Sequence, residues 1–285
     1  LDFLTVKEIL DRTVKHFEKY NINSPRLDAE VLLSQILEME RIDLYVNFDR
    51  PLTKKEIDLY RDFVVSRSKG IPVAYILAKQ EFMSLDFKVD KSTLIPRPET
   101  EHLVEALLDK IEDFTSDIVN IADIGTGTGA IIISIAKYAK KHINGIAIDI
   151  SSGALKVAKE NAMSHQVEGK IEFRLGNLLE PIDEELDIIV SNPPYIPTEE
   201  IEGLQDEVKN EPLNALDGGE DGLAYYRQII DQANNKLKAE GILAFEIGIN
   251  QGDDVIEILN RFDFYQIERI KDYAGIERVI LAKKK

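Results

Sequence analysis

The sequence predicts an α/β protein: a Rossmann-like domain built on a parallel sheet, preceded by a small helical domain. Three observations lead there. From about residue 96, short runs of Ile, Val and Ala alternate with helical patterns, as in a sheet covered on both faces. A glycine-rich stretch, Asp123 to Ala130, falls where the first of these strands meets its helix. Residues 1–75 show only helical periodicity.

The helical segment carries its own start signals. Thr5-Val6-Lys7-Glu8 is a capping box, followed by Ile9, Leu10, Val14 and Phe17 on one face. Ser24-Pro25 offers an N-cap and a first-turn proline for a second helix through Val31, Leu32, Ile36 and Leu37. Thr53 to Glu56 repeats the capping box ahead of Ile57, Tyr60, Phe63 and Val64, and Gly70 and Pro72 end that helix. We assign residues 1–78 to this domain. Residues 79–95 read as a linker or hairpin, because Phe82, Leu85, Phe87 and Val89 partly alternate.

Residues 96–285 form the second domain. Expected strands are 118–124, 145–149, 171–175, 186–191, 241–247, 264–270 and 278–282. Expected helices are 129–139 and 152–164, one through Tyr225, Ile229 and Leu237, and one after Gln251. Residues 192–220 read as a long irregular loop, and Lys283-Lys284-Lys285 as a solvated end.

Composition narrows the function classes. The 285 residues are 44% apolar, enough for a sizeable core, and no apolar run is long enough to span a bilayer. Leu1-Asp2-Phe3-Leu4 lacks the zones of a signal peptide, although the missing initiator Met suggests a trimmed start. With no Cys, disulfides, thiolate zinc sites and cysteine nucleophiles are absent; the four His residues have no ligand spacing. The expectation is a cytoplasmic protein without a metal. Net charge is −17: residues 1–90 carry 14 basic and 16 acidic side chains, residues 91–285 carry 21 and 36. An acidic second domain is a poor match for a bare phosphate backbone, though acidity also serves solubility.

Gly125, Thr126, Gly127, Thr128 and Gly129 allow a sharp turn and a close approach to a ligand at a helix N-terminus. Asp149, at the end of the second strand, can accept both hydroxyls of a ribose. Gly125, Gly127 and Ala130 also satisfy a dinucleotide fingerprint, so NAD and S-adenosylmethionine both remain open here.

The fourth strand is followed by Asn192-Pro193-Pro194-Tyr195, at the strand end where parallel sheets bind ligands. Two prolines stiffen the loop and offer carbonyl oxygens without N–H groups. Asn192 adds an amide oxygen. A planar NH2 is a weak nucleophile, since its lone pair is delocalised. Held through both N–H groups by the Asn192 side chain and the Pro193 carbonyl, it would aim that lone pair at a sulfonium methyl. Tyr195 could stack on the flat group. Positioning, with no strong base, would supply most of the rate.

At this point the sequence resembles the release factor glutamine methyltransferases over nearly its whole length. Besides the glycine loop and Asn192–Tyr195, the likeness includes 95–101 (Ile95-Pro96-Arg97-Pro98-Glu99-Thr100-Glu101), 70–76, 211–216, 218–223, Glu246-Ile247-Gly248, and 272–278. The resemblance implies a class I methyltransferase fold, with a seven-stranded sheet whose last strand is antiparallel. It also implies an N-terminal domain that helps dock a protein substrate, the release factor, and methylation of the Gln of its Gly-Gly-Gln motif. By the same resemblance, Gly125–Gly129 line the methionine part of S-adenosylmethionine, and Asp149 holds the ribose. Asn177 and Leu178 sit on the adenine side, and Asn192, Pro193, Pro194 and Tyr195 grip the glutamine amide. Arg97, Thr100 and Glu101 support the site, with a structural ion pair an equal reading for Arg97. Three rivals stand: an adenine-amine methyltransferase on DNA or RNA, an NAD-dependent oxidoreductase, and a silent S-adenosylmethionine-binding partner protein. The expected partner is a release factor, with no membrane and no direct nucleic acid.

Overall fold

The structure, a computed structural model, describes residues 4–285; the reading of Leu1–Phe3 lies outside the described residues. The chain divides into two compact units. One comprises residues 1–78 together with Gln205–Asn210, the other 79–204 and 211–285.

The first unit holds α1 (Val6–Lys19), α2 (Pro25–Leu37), α3 (Arg41–Val46), α4 (Lys54–Ser68) and α5 (Val73–Leu77). Both capping boxes form: the Thr5 and Thr53 hydroxyls accept from the N–H of Glu8 and Glu56, whose carboxylates return to the cap N–H. Ser24 differs from expectation. Its side chain makes no capping bond, so Pro25 alone marks that start. Val6, Leu10, Phe17, Leu32, Leu33 and Tyr60 close the core, and the Tyr60 hydroxyl donates to the Ala29 carbonyl. Arg67 is buried; its Nε donates to Asp28 Oδ2 at 2.7 Å and its Nη2 to Glu207 Oε2 at 2.5 Å. The backbone of the 205–210 segment is further tied by Asn210 Nδ2, which donates to the Gly70 carbonyl.

The second unit begins with a hairpin, β1 (Lys79–Phe82) and β2 (Leu85–Lys88), then α6 (Glu101–Asp113). The alternation follows: β3 (Ile118–Ile124), α7 (Ala130–Tyr138), β4 (His142–Asp149), α8 (Ser152–Ser164), β5 (Ile171–Leu175) and β6 (Leu186–Ser191). After it come α9 (Asp206–Lys209, on the segment that joins the first unit), α10 (Ala224–Ala233), β7 (Leu237–Glu246), α11 (Gly252–Leu259), β8 (Phe264–Lys271) and β9 (Glu277–Lys284). One seven-stranded sheet has the order β5-β4-β3-β6-β7-β9-β8, with β9 alone running against the other six strands.

The pleat explains why these strands read as nearly continuous apolar runs. Val119 and Ile121 of β3 face a cluster with Leu103 and Leu107 of α6 and Ile132 and Ile135 of α7. Ala122 and Ile124 face the opposite cluster, with Tyr226 and Ile229 of α10 and Val255 of α11. Both faces are dry, so neither needs polar positions.

Three expectations give way to the structure. Leu237 opens β7 rather than continuing α10, because it pairs with Leu186 and is buried. The 192–220 loop is not irregular throughout, since it carries 3-10 turns at 198–203 and 213–215 as well as α9. Lys284 is no solvated end: it lies in β9, its ammonium donates to Asn234 Oδ1 and it stands 5.9 Å from the Phe264 ring centroid. Among the described residues, no helix is long and apolar enough to cross a membrane, and no group of His, Asp and Glu could hold a metal ion.

Candidate active site

Sheet order dictates where a ligand can sit. β3 is central; the chain leaves it for β4 on one side, and β6 flanks the other, so the strand order reverses there. A crevice opens beyond the carboxyl ends at such a point. The register sets Ile124 beside Ile148 on one side and Ser191 on the other. The glycine loop, Asp149 and Asn192 thus emerge next to one another.

Gly125, Gly127 and Gly129 adopt φ of 70°, 55° and 80°. At Gly129, the N-cap of α7, a Cβ would stand 2.7 Å from Ile133 Cδ1, so that glycine answers to packing as well as to backbone conformation. The loop is braced from below. Thr126 donates its hydroxyl to Asp123 Oδ2 at 2.7 Å and its N–H to the Ile148 carbonyl at 2.9 Å. Complete burial pushes the Asp123 carboxyl up to about 7, against the Thr126 and Ile132 hydrogen bonds.

Asp149 joins the two strand ends. Its Oδ2 accepts from the Gly127 N–H at 2.9 Å and its Oδ1 from the Ser151 N–H at 2.8 Å. Burial raises its carboxyl above the ordinary range, and those backbone N–H groups oppose the shift. A carboxylate has about four lone-pair sites. Two are used here, so capacity for a vicinal diol remains.

These groups line a cleft of about 250 Å³. Gly125, Gly127, Asp149, Asn177, Leu178, Asn192, Pro193 and Pro194 all face it. Thr126 and Thr128 instead line an adjoining recess of about 50 Å³ with Arg97, Thr100 and Asn192. Gly129 and Tyr195 line neither. The Tyr195 ring packs on the second apolar cluster, and its carbonyl accepts from Gln251 Nε2 at 3.0 Å. Burial pushes its phenol up to about 12. Asn177 Nδ2 donates to Glu180 Oε1, and Leu178 takes a left-handed φ of 50° that turns the chain along the cleft wall.

Asn192 belongs to both spaces. Its Nδ2 donates to Thr100 Oγ1 at 3.2 Å, and the Thr100 hydroxyl in turn donates to Glu246. Glu246 ends β7, and burial pushes its carboxyl up to about 7, opposed by the Thr100 hydrogen bond, the Arg278 charge and the nearby Asn192 amide. Arg97 forms an ion pair with the buried Glu211 carboxylate, which also accepts from the Ile95 N–H at 2.9 Å. Glu101 lies apart from the recess, where it accepts from the Met83 N–H and closes the β1–β2 turn.

Sequence reasoning had no site role for several of these groups. Glu246 and Glu211 entered only as parts of longer matching stretches. An acid at the end of a buried strand, which is rarely tolerated without a partner, was the signal for Glu246. Ser92, Thr93 and Leu94 also line the cleft, from a segment read only as linker.

Two family descriptions match the chain: PrmC N-terminal domain over residues 8–77, and methyltransferase small domain over 99–209. A release factor glutamine methyltransferase of Clostridium acetobutylicum is 42% identical over 98% of both chains. The chain belongs to the release factor glutamine methyltransferase family. Another member, from Geobacter sulfurreducens, is 40% identical over 97% of this chain and 95% of its own. Among solved structures, a methyltransferase from Pyrococcus furiosus superposes with a TM-score of 0.50 at 15% identity, over 82% of this chain and 99% of that one. The hMettl16 catalytic domain in complex with an RNA hairpin gives 0.56 at 16% identity, over 77% and 81%. At such identities the likeness concerns the fold, which is that of class I methyltransferases. Family membership makes the chain an S-adenosylmethionine-dependent methyltransferase.

Proposed function

We propose that this chain methylates the side-chain amide nitrogen of the glutamine in a release factor's Gly-Gly-Gln motif, with S-adenosylmethionine as donor. The observation that carries the reading is Asn192, which opens on both the cleft and the recess while its amide nitrogen is committed to Thr100. Its oxygen is thereby left to accept from an incoming NH2.

The residues present fit the donor. The Asp149 carboxylate retains lone pairs for ribose hydroxyls, Ile150, Leu178 and Ile229 give the cleft an apolar wall for a flat base, and the glycine loop brings N–H groups to the helix start. Bound there, S-adenosylmethionine supplies an electrophilic methyl on a sulfonium. The protein's part is placement. Asn192 Oδ1 and the Pro193 carbonyl accept the two amide hydrogens and fix the plane of the NH2. Pro193 and Pro194 hold the loop stiff. Methyl transfer from the bound donor would leave a thioether, and the amide nitrogen, held by Asn192 Oδ1 and the Pro193 carbonyl, would return to neutrality by losing one proton to water. Tyr195 anchors the tetrapeptide through its half-buried ring and its carbonyl. We assign residues 1–78 the docking of the protein substrate and 96–285 the chemistry. A cytoplasmic site of action accords with that substrate.

The test offers labelled S-adenosylmethionine with a release factor, its Gln-to-Ala variant, or DNA and RNA. Label is expected on the unaltered release factor alone; label on nucleic acid instead overturns the substrate. Asn192→Ala should cut turnover by about 100-fold with a much smaller change in cofactor affinity. An equal collapse of both would assign Asn192 to the donor.

A further inference from the structure

The end of β7 holds a carboxylate that the proposed chemistry does not consume. Glu246 is buried at the carboxyl edge of the sheet, accepts the Thr100 hydroxyl, and is favoured in its charged form by the nearby Asn192 amide. Thr100 is itself buried, and its oxygen accepts from Asn192 Nδ2. A carboxylate is only an acceptor, so it decides the direction of both bonds. Thr100 must spend its proton on Glu246 and can offer Asn192 only a lone pair. Asn192 must turn its NH2 toward the pair and its oxygen away.

We propose that Thr100 and Glu246 are positioning residues that lock the Asn192 amide with its carbonyl oxygen presented to the substrate nitrogen, and that turnover requires Glu246 as the carboxylate. The inference deepens the reading given above and rests on it. Protonated Glu246 becomes a donor. The Thr100 hydroxyl can then reverse and donate to Asn192, which favours the flipped amide. An NH2 facing the substrate NH2 repels it.

The charged and titratable groups around Glu246 come from several elements. Arg278 of β9 favours the carboxylate; Glu99, from the 3-10 turn before α6, disfavours it. The phenols of Tyr195 and Tyr226 also feel the Glu246 charge, and the Tyr226 hydroxyl donates to the Glu246 backbone carbonyl. Burial places the carboxyl at about 7, so the lock is poised to open in mild acid.

The experiment measures kcat and KM for release factor methylation from pH 5.5 to 9 in the wild type, Glu246→Gln, Thr100→Val and Thr100→Ser, with cofactor affinity by calorimetry. In the wild type kcat should fall as pH drops through about 7. Glu246→Gln removes the charge and replaces one oxygen with an NH2, so the side chain can donate to Thr100 and no longer fixes the direction of that hydroxyl. Its kcat should be about 100-fold lower, without the acid limb, and with cofactor affinity little changed. Thr100→Val should match that loss and Thr100→Ser should recover most of it. The Asn192 side-chain amide, followed by NMR in 15N-labelled protein, should shift with a midpoint near 7 in the wild type and not in Glu246→Gln. That resonance reports the lock whatever the substrate is, so a release factor that is not methylated would refute the substrate reading alone. A wild-type amide indifferent to pH, a Glu246→Gln enzyme with wild-type kcat, or an acid limb persisting in that variant would overturn the proposal.

Discussion

Gly222→Ala tests how firmly the acceptor loop must be held. Gly222 has φ of 72°, a region where an L-residue costs about 1 to 2 kcal/mol. A Cβ built there falls 2.4 Å from the Tyr195 carbonyl oxygen, where ordinary contact begins at 3.4 Å. The obstacle is backbone, so the loop must yield by about 1 Å, and it has little freedom to do so. Ile196 is paired on both sides, its N–H donating to the Leu216 carbonyl at 3.1 Å and its carbonyl accepting from the Gly218 N–H at 2.8 Å. Tyr195 is the last residue of the tetrapeptide, so the displacement reaches Asn192. A misplacement of about 1 Å costs on the order of 100-fold in rate. The variant should therefore fold, with stability reduced by about 1 to 3 kcal/mol, and show kcat about 100-fold lower at saturating cofactor. Cofactor affinity by calorimetry should change little, since Gly222 does not line the cleft. Gly203→Ala is the control, because a Cβ there meets nothing within 4 Å and the φ is ordinary. A folded Gly222→Ala enzyme whose kcat stays within about threefold of wild type would refute the reasoning.

Asp149→Ala removes the acceptor assigned to the ribose and the brace on the Gly127 N–H. Two charge-assisted hydrogen bonds are worth about 3 kcal/mol or more together, so cofactor affinity should fall by about 100-fold or more in calorimetry; a change of less than about fivefold would remove Asp149 from the donor site. Asp123→Asn should alter the pH dependence of folding. The folded pKa of about 7 lies above the unfolded one, so the wild-type stabilisation is full below about 4 and is lost as pH rises through 7. In denaturant titrations the stability of the variant relative to wild type should rise by a few kcal/mol between pH 4 and 8; a constant difference would contradict this. Arg67→Met should destabilise the protein by about 3 kcal/mol by leaving the Asp28 carboxylate buried and unpaired, and adding Asp28→Asn should recover part of that loss. Equal stability of the single and double variants would show that the buried charge is not the cause.

The sheet was legible because its signals are local. Runs such as Leu186-Asp187-Ile188-Ile189-Val190-Ser191 announce strands buried on both faces, and the glycine loop, Asp149 and Asn192 each sit at a strand end that can be located in one dimension. What escaped depends on distance along the chain. Glu246 meets Thr100 across 146 positions, and Arg97 meets Glu211 across 114. Neither pairing leaves a periodic trace. Leu237 was misassigned because an apolar residue at the end of a helical pattern continues that pattern equally well, and only its pairing with Leu186 decides. Tyr195 was expected at the substrate face. Its half-buried ring also packs against the second apolar cluster, a contact that a motif four residues long cannot reveal.

The short stretch Gln205–Asn210 makes the two halves of the polypeptide interdependent. A fragment cut after Ala78 would keep Arg67 and Asp28 but forfeit Glu207, their third member. A fragment starting at Lys79 would carry α9 (Asp206–Lys209), downstream of the tetrapeptide, stripped of the helices it belongs with. Simple truncation therefore yields neither half intact. Swapping the N-terminal helices between relatives would have to carry residues 205–210 along, so these two distant stretches should change together in evolution, as one inherited module.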